Sequence, residues 1–342
     1  MKVAACTAVM LQTVLAFTLS CHPTVAMQHE IGILYNFVKF TAPAFIFGIL
    51  YTTMRTTWQQ PPTYRHYLRQ QWSALFVPTI GWTMLYLVTM PQLQQGTPFH
   101  NLWTFCWQFI NGNAAPHLWY NTMMLQFILL MPIFWWLMRR VNQTHHQTSL
   151  LTLTVIGYAG WLGIYAWAVP RGWALLDRVA LSFGLYGILG AIAGSNPITT
   201  TRIKRWHGGL IITFIGSFLW TNWQLWQTGT PVTLSHASYY QPSMTLYALA
   251  VIGLIAWFGS HYLAQPTAFL IVIHWLATYA YRAYLANVFW LQLVWWLLAP
   301  KFAQQPGALI ILSYGLTWLL AFVSAFGLHW IWIKAKHTWQ IR

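Results

Sequence analysis

Residues 101–140 read NLWTFCWQFINGNAAPHLWYNTMMLQFILLMPIFWWLMRR, and the rest of the chain is interpreted around this stretch. Asn111-Gly112-Asn113 predicts a turn, because Gly and Asn tolerate positive φ. Pro116 suits the first turn of a new helix, where its missing N–H costs nothing. We therefore expect an apolar helix that is headed by Pro116 and His117 and closed by Arg139-Arg140. This arrangement places turn-forming polar residues and a histidine at the mouth of a hydrophobic helix, as at a lipid–water boundary.

The composition is that of a membrane protein. Of 342 residues, 58% are hydrophobic and only 6% are charged, whereas soluble domains carry about 25% charged residues. The 24 Trp and 17 Tyr fit many helix ends at the headgroup level of a bilayer. We therefore predict an all-α polytopic protein that forms one integral membrane domain over residues 1–342.

Crossing a bilayer takes about 20 apolar residues, and the chain offers ten such runs. The positive-inside rule predicts that both termini are cytoplasmic, because most of the bases then lie inside. The first run also resembles a secretory signal that is cleaved near Ala26, and we favour a retained helix. The ten predicted spans are 4–26, 31–54, 72–92, 117–138, 150–168, 176–194, 207–227, 244–263, 281–299 and 307–333. The predicted inner bases are Lys2, Arg55, Arg65, Arg69, Arg139, Arg140, Arg202, Lys204, Arg205, Lys334, Lys336 and Arg342.

The titratable residues of the chain argue against several classes of function. The chain has two acids, Glu30 and Asp177, which excludes a carboxylate-pair glycosidase and disfavours a transporter built on acid relays. Its three cysteines form no CxxC, so neither a disulfide framework nor a metal site is expected. No basic stripe with interleaved aromatics lies outside the spans, so nucleic acid is not an expected partner. Acid–base chemistry therefore falls to His, to Tyr or to the substrate.

Two histidines and two arginines are candidate site residues. His22, near the outer end of the first span, has a pKa suited to a general base; the alternative is an interfacial residue without a role. His117, at a helix N-terminus, would help to hold a carboxylate, a phosphate or an oxyanion, or would simply cap the helix. Arg65 and Arg69 share a face if their loop is helical and would clamp phosphates of a cytosolic donor. The alternative for this pair is a purely topological role.

Several other polar residues lie within the predicted spans or close to them. Lys39 falls within a span, where a base is costly and marks a cavity or a functional path, unless it snorkels. The outer segment 228–243, with Tyr239-Tyr240, is placed to touch a polar substrate, or is a plain connecting loop. Asp177 and Arg178 are adjacent and would not face each other on a helix, so we expect each to find another partner.

Four stretches together resemble a known family. They are FVKFTAPAFIF at 37–47, YRHYLRQQWSALFVPTIGWTMLY at 64–86, GNAAPHLWYNTMMLQFILLMP at 112–132 and AYRAYLANV at 280–288. In this order they resemble the acyltransferase family 3 membrane proteins. Within that family they are most similar to the exopolysaccharide O-acyltransferase branch of the intercellular adhesion protein C type.

The resemblance implies a multi-pass enzyme of the bacterial plasma membrane. Such a protein moves an acyl group, here acetyl or succinyl, from a cytosolic acyl-CoA to a hydroxyl of a cell-surface polysaccharide or its precursor. No bound cofactor is implied, since acyl-CoA is a substrate. The implied partners are acyl-CoA, a surface polysaccharide or lipid-linked glycan, the lipid bilayer and a polysaccharide synthase complex.

The chain departs from the family pattern at three positions. His22 matches the first-helix histidine of the family, which serves acyl transfer, but the arginine eleven residues earlier is replaced by Leu11, with Gln12 beside it. The late histidine and the proline after it are replaced by Asn287 and Val288. Two rival functions therefore stay open, a non-enzymatic polysaccharide export component and a small-molecule membrane transporter.

The predicted site combines these residues. His22 and His117 are the catalytic candidates, and we expect them to face each other across the outer mouth of the bundle. Arg65 and Arg69 are predicted to bind the donor on the inner side. The remaining predicted substrate contacts are Tyr120, as an oxyanion donor, and Asn113.

Overall fold

The protein is built of helices, in agreement with the sequence-based prediction. The computed structural model describes residues 1–144, 146–173, 175–196, 206–262 and 267–340. Helices account for 83% of the structure, and no strand occurs among the described residues. The helices are α1 (Lys2–Leu19), α2 (Val25–Val38), α3 (Thr41–Thr57), α4 (Tyr64–Gln71), α5 (Val77–Thr89), α6 (Leu102–Asn111), α7 (Trp119–Leu129), α8 (Met131–Thr144), α9 (Gln147–Ala168), α10 (Gly184–Ser195), α11 (His207–Trp226), α12 (Pro242–Tyr262), α13 (Ala268–Phe302) and α14 (Pro306–Gln340).

Seven helical stretches among the described residues are long and apolar enough to cross a membrane, and a bent pair, α7 with α8, raises this to as many as eight. These helices confirm a polytopic membrane fold. The seven stretches are Lys2–Leu19, Val25–Thr57, Tyr64–Thr89, Gln147–Arg171, Pro242–Tyr262, Ala268–Phe302 and Pro306–Trp332.

Eight of the ten predicted spans overlap these stretches or the bent pair. The predicted spans 176–194 and 207–227 fall on the shorter apolar stretch Ala180–Ser195 and on α11, neither of which is among the seven. The count of ten and the cytoplasmic termini therefore stay predictions. Arg202, Lys204, Arg205 and Arg342, which support that topology, lie outside the described residues.

The predicted second span is interrupted where a proline follows. The α2 helix ends at Val38, with Lys39 as its C-cap, and α3 begins at Thr41. Pro43 has no N–H to donate to the carbonyl four residues earlier, which belongs to Lys39. The break places the Lys39 side chain and the first turn of α3 at the same level of the bundle.

The predicted fourth span bends for the same reason. The α7 and α8 helices meet at Leu130 at an angle of 53°. Pro132 leaves the carbonyl of Ile128 without its helical donor, so the chain turns where the sequence predicts a continuous helix over 117–138.

Close backbone packing fixes the position of α3. A Cβ at Gly190 of α10 would lie 2.5 Å from the carbonyl oxygen of Phe47. Only glycine permits this approach, and small residues at helix interfaces let backbones pack closely in membranes. The contact holds α3 closely against α10.

The turn ahead of α7 follows the sequence prediction in one respect and departs from it in another. Gly112 adopts φ 70°, as the Asn-Gly-Asn pattern predicts. The α7 helix, however, begins at Trp119 rather than at Pro116. The intervening backbone makes tighter i to i+3 hydrogen bonds, from Leu118 to Ala115 and from Asn121 to Leu118. His117 therefore lies in an irregular segment, and its ring turns into the bundle.

Substitution of Gly112 by Ala is expected to destabilise the protein more than the same change at Gly172. Both glycines have positive φ, which costs an L-residue about 1–2 kcal/mol. A Cβ at Gly112 would also lie 2.7 Å from the Trp119 Cα, whereas Gly172 has open space around it. Thermal unfolding of both variants in detergent checks this, and a smaller loss of Tm for Gly112→Ala than for Gly172→Ala would contradict the close packing of the turn.

Candidate functional site

A cavity of about 530 Å³ lies between the α2–α3 break and the turn ahead of α7. Its walls come from α1, the α2–α3 break, the turn ahead of α7, the segment 176–178, the loop 234–240 and α13. The cavity is lined by hydroxyl, amide and charged groups as well as by aromatic rings. Its polar wall includes Gln12, Tyr35, Lys39, Thr41, His117, Tyr120, Tyr165, Asp177, Arg178, Tyr239, Tyr240 and Tyr284.

The hydrogen bond of His117 defines which ring nitrogen is free. The side chain is buried, and its Nε2 lies 3.3 Å from the carbonyl oxygen of Leu285. A carbonyl only accepts, so the proton of the neutral ring is on Nε2 and Nδ1 carries the lone pair. Nδ1 has no partner among the described residues. The neutral form is favoured, since burial away from water disfavours the charged imidazolium.

Two tyrosines hold this imidazole in place. The Tyr86 hydroxyl donates to the same Leu285 carbonyl at 2.9 Å and accepts from the backbone N–H of Phe289 at 2.8 Å. The Tyr284 hydroxyl donates to the backbone carbonyl of His117. Both rings meet the imidazole edge to face, with centroids 5.4 Å and 5.1 Å away. The ring is therefore fixed by packing as well as by hydrogen bonds.

Tyr120 carries a second polar atom without a partner. Its side chain is 4% exposed and its hydroxyl has no hydrogen bond among the described residues. The ring is fixed between Phe45 and Tyr284, at centroid distances of 5.5 Å and 5.9 Å. A buried hydroxyl without a partner costs free energy, so this group is left with an unused donor and acceptor beside the cavity.

A third group surrounds Lys39. The ammonium lies 3.3 Å from the Tyr35 hydroxyl and 4.7 Å from the centroid of the Tyr239 ring. The Tyr239 hydroxyl is 2.8 Å from the Thr41 hydroxyl, and Gln12 is within hydrogen-bonding distance of both. Burial raises the pKa of Tyr239, although the nearby Lys39 opposes this shift. The prediction that Lys39 marks a cavity is confirmed.

The prediction that Asp177 and Arg178 do not face each other is wrong, whereas the expectation of further partners is confirmed for Arg178. Arg178 Nε lies 3.5 Å from Asp177 Oδ2. The two residues form a 3₁₀ turn after Leu175, which has a φ of 69°, instead of a regular α-helix. This geometry lets adjacent side chains meet.

Arg178 also fastens the turn that leads to His117. Its guanidinium donates to the Asn111 carbonyl and to the Asn113 side-chain oxygen. The Gln126 side chain bonds the same segment twice, through the Arg178 carbonyl and the Ala180 N–H at 3.0 Å. The 176–183 segment therefore ties α6, α7 and the turn between them together beside the cavity.

The structure brings only part of the predicted site together. His117 and Tyr120 line the cavity, and so do Tyr239 and Tyr240 of the predicted outer loop. His22 is exposed in the α1–α2 loop, has a φ of 51°, and is not among the lining residues. The expected pairing of His117 with His22 is therefore not seen in this cavity.

The remaining predicted residues lie elsewhere. Asn113 is half-buried and does not line the cavity, because its side chain is engaged by Arg178. Arg65 and Arg69 are exposed on α4, which confirms that their loop is helical. One continuous helical stretch runs from Tyr64 to Thr89. At 1.5 Å per residue, Arg65 is about 30 Å along it from Tyr86, beside His117.

Sequence reasoning missed several lining residues, although a signal was present. Gln12 and Thr41 are buried polar residues within apolar helices, and such residues in membrane spans tend to be functional. Gln12, next to the position at which the family has arginine, points into the cavity, whereas Leu11 is not among the lining residues. Tyr35 and Arg178 acquire their roles only from the helix break and the 3₁₀ turn.

Comparison with known proteins shows to which family this chain belongs. No curated protein and no solved structure matches the chain. The family model Acyl_transf_3, described as an acyltransferase domain, matches residues 1–333. This match spans nearly the whole chain, in agreement with the resemblance of the four stretches and with the helical membrane fold. The chain therefore belongs to the acyltransferase family 3 and is a multi-pass membrane acyltransferase.

Proposed function

We propose that the protein transfers an acetyl or succinyl group from a cytosolic acyl-CoA to a hydroxyl of a cell-surface polysaccharide or its lipid-linked precursor. The observation that carries this proposal is that two residues lining one cavity, His117 and Tyr120, each have a buried polar atom, Nδ1 and the hydroxyl, without a partner among the described residues. The resemblance to the intercellular adhesion protein C type supports a polysaccharide as acceptor. Operation in the bacterial plasma membrane and beside a polysaccharide synthase belongs to the same proposal.

The two free groups suit the two demands of acyl transfer. A sugar hydroxyl is a weak nucleophile, and Nδ1 of His117 takes its proton as the oxygen attacks the thioester carbon. The Tyr120 hydroxyl donates to the oxyanion of the tetrahedral intermediate. Collapse of the intermediate breaks the C–S bond, and the thiolate of CoA leaves with the proton from the imidazolium. The products are an ester and free CoA, and no carboxylate is needed.

The acyl-CoA donor is proposed to bind at the end of the bundle that carries α4, opposite to the acceptor. Arg65 and Arg69 are exposed, four residues apart on one helix, and suited to the phosphates of CoA. The helix that carries them ends beside Tyr86 and His117, about 30 Å further along. The CoA phosphates would therefore stay at the basic helix while the acyl end reaches the cavity.

His117 rather than His22 is proposed as the base within the cavity. The resemblance assigns acyl transfer to His22, but the exposed position of this side chain leaves it outside the lining. The two assignments give opposite results in a single experiment.

His117→Ala is expected to lower ester formation by ~10²–10⁴-fold, the usual contribution of a general base. The variant, His22→Ala and the wild type are expressed in cells that lack the native protein, and ester-linked acyl groups on the extracellular polysaccharide are measured at equal protein levels. His274→Ala is the matched control, because this histidine is exposed on α13. Control and wild type are expected to agree.

Two results would contradict the proposal. Unchanged acylation in His117→Ala, or loss in His22→Ala alone, would remove His117 as the base. Loss of polymer export without any change in its ester content would favour a translocation component instead of an enzyme.

Tyr120→Phe is expected to slow ester formation roughly 100-fold, because it deletes one oxyanion donor while keeping the ring. The initial rate is measured in isolated membranes that contain equal amounts of each variant. Tyr262→Phe is the control, since Tyr262 is 56% exposed. A rate equal to that of the wild type would show that Tyr120 does not stabilise the reacting group.

A further inference from the structure

Lys39 carries a buried charge that no acidic side chain balances. The chain has only two acids; Glu30 is exposed, and Asp177 lies 3.5 Å from Arg178. Lys39 is 6% exposed and makes no ion pair among the described residues. An unpaired charge within a membrane protein is costly and marks a binding path.

The groups around Lys39 stabilise the ammonium without neutralising it. The faces of Tyr35 and Tyr239 lie 4.6 Å and 4.7 Å from Nζ, and such cation–π contacts favour the charged form. The C-terminus of α2 contributes a partial negative charge of about half an electron. The first turn of α3 offsets this contribution, because Thr41 and Ala42 bring its positive end to the cavity wall. The cavity therefore keeps a net positive charge at this corner.

We propose that Lys39 is the anion subsite of the cavity and that it binds a carboxylate carried by the substrate. A single ammonium balances one negative charge, as a carboxylate supplies, whereas a phosphate monoester carries about two. Arg178, the other base in the wall, is already engaged by Asp177, Asn111 and Asn113. The Thr41 and Tyr239 hydroxyls hydrogen-bond each other beside Lys39, which leaves one hydroxyl hydrogen for the carboxylate or for Gln12.

Two parts of the reaction would bring a carboxylate to this subsite. One is the free end of a dicarboxylic acyl group, and the other is an acidic sugar of the acceptor. The inference rests on the proposed function only in taking the cavity as the place where substrate binds. Binding of a carboxylate is measured without any transfer, so the two proposals fail separately.

The test uses the purified full chain in lipid nanodiscs at constant ionic strength. Thermal unfolding is followed against monomethyl succinate, which mimics the acyl end, and against glucuronate, which mimics an acidic sugar. Dimethyl succinate and glucose are the neutral counterparts, and inorganic phosphate is a third anion. At least one carboxylate is expected to raise Tm in the wild type, while the neutral compounds are not.

Lys39→Met is expected to weaken the apparent Kd of that carboxylate by at least ~10-fold, the range of a hydrogen bond to a charged group. Lys301→Met is the control, because Lys301 is exposed on α13. A response to monomethyl succinate alone assigns the subsite to the acyl group, and a response to glucuronate alone assigns it to the acceptor. A response to both supports the subsite for either source.

Three results would overturn the proposal. They are an equal response of Lys39→Met and the wild type, an equal response to charged and neutral compounds, and a Lys39-dependent response to phosphate alone. The comparison of charged with neutral compounds uses only the wild type, so an equal response would overturn the proposal even if Lys39→Met does not fold. Loss of ester formation with carboxylate binding intact would remove the proposed function and keep the subsite.

Discussion

The carbonyl oxygen of Leu285 accepts hydrogen bonds from both His117 and Tyr86, and the geometry of the cavity depends on this shared acceptor. The contact joins α5, α13 and the turn ahead of α7, which are far apart in sequence. It also fixes the tautomer of His117, because the carbonyl leaves Nδ1 as the nitrogen with the lone pair. In a bilayer, where water does not compete, buried polar groups hold such positions strongly.

One of the two broken spans borders the cavity. Pro43 follows the break in the second span at Lys39, and Pro132 follows the bend between α7 and α8. The first break brings the polar side chains of Lys39 and Thr41 to the cavity wall. Irregular backbone is tolerated at membrane depth where it is buried in protein or lines a cavity. The broken spans of this chain therefore indicate a binding function more strongly than an unbroken bundle of ten helices would.

The sequence predicted the fold class because hydropathy alone requires it: 58% hydrophobic and 6% charged residues leave no soluble alternative. It also predicted the Gly112 turn and a cavity at Lys39. It did not predict the start of α7 at Trp119 or the pairing of Asp177 with Arg178, since both depend on local turns that compete with the helix. The sequence-based expectation for Asn113 did not include its contact with Arg178, because the 176–178 turn returns from a distant part of the chain.

In the proposed reaction, the acceptor hydroxyl enters the cavity and meets Nδ1 of His117. An experimental density map of the purified chain, bound to a fragment of the polysaccharide that it modifies, tests this most directly. We expect a sugar hydroxyl within hydrogen-bonding distance of Nδ1, with the sugar ring between Tyr120 and Tyr239. A fragment that binds at the exposed α1–α2 loop beside His22, with the cavity empty, would contradict it.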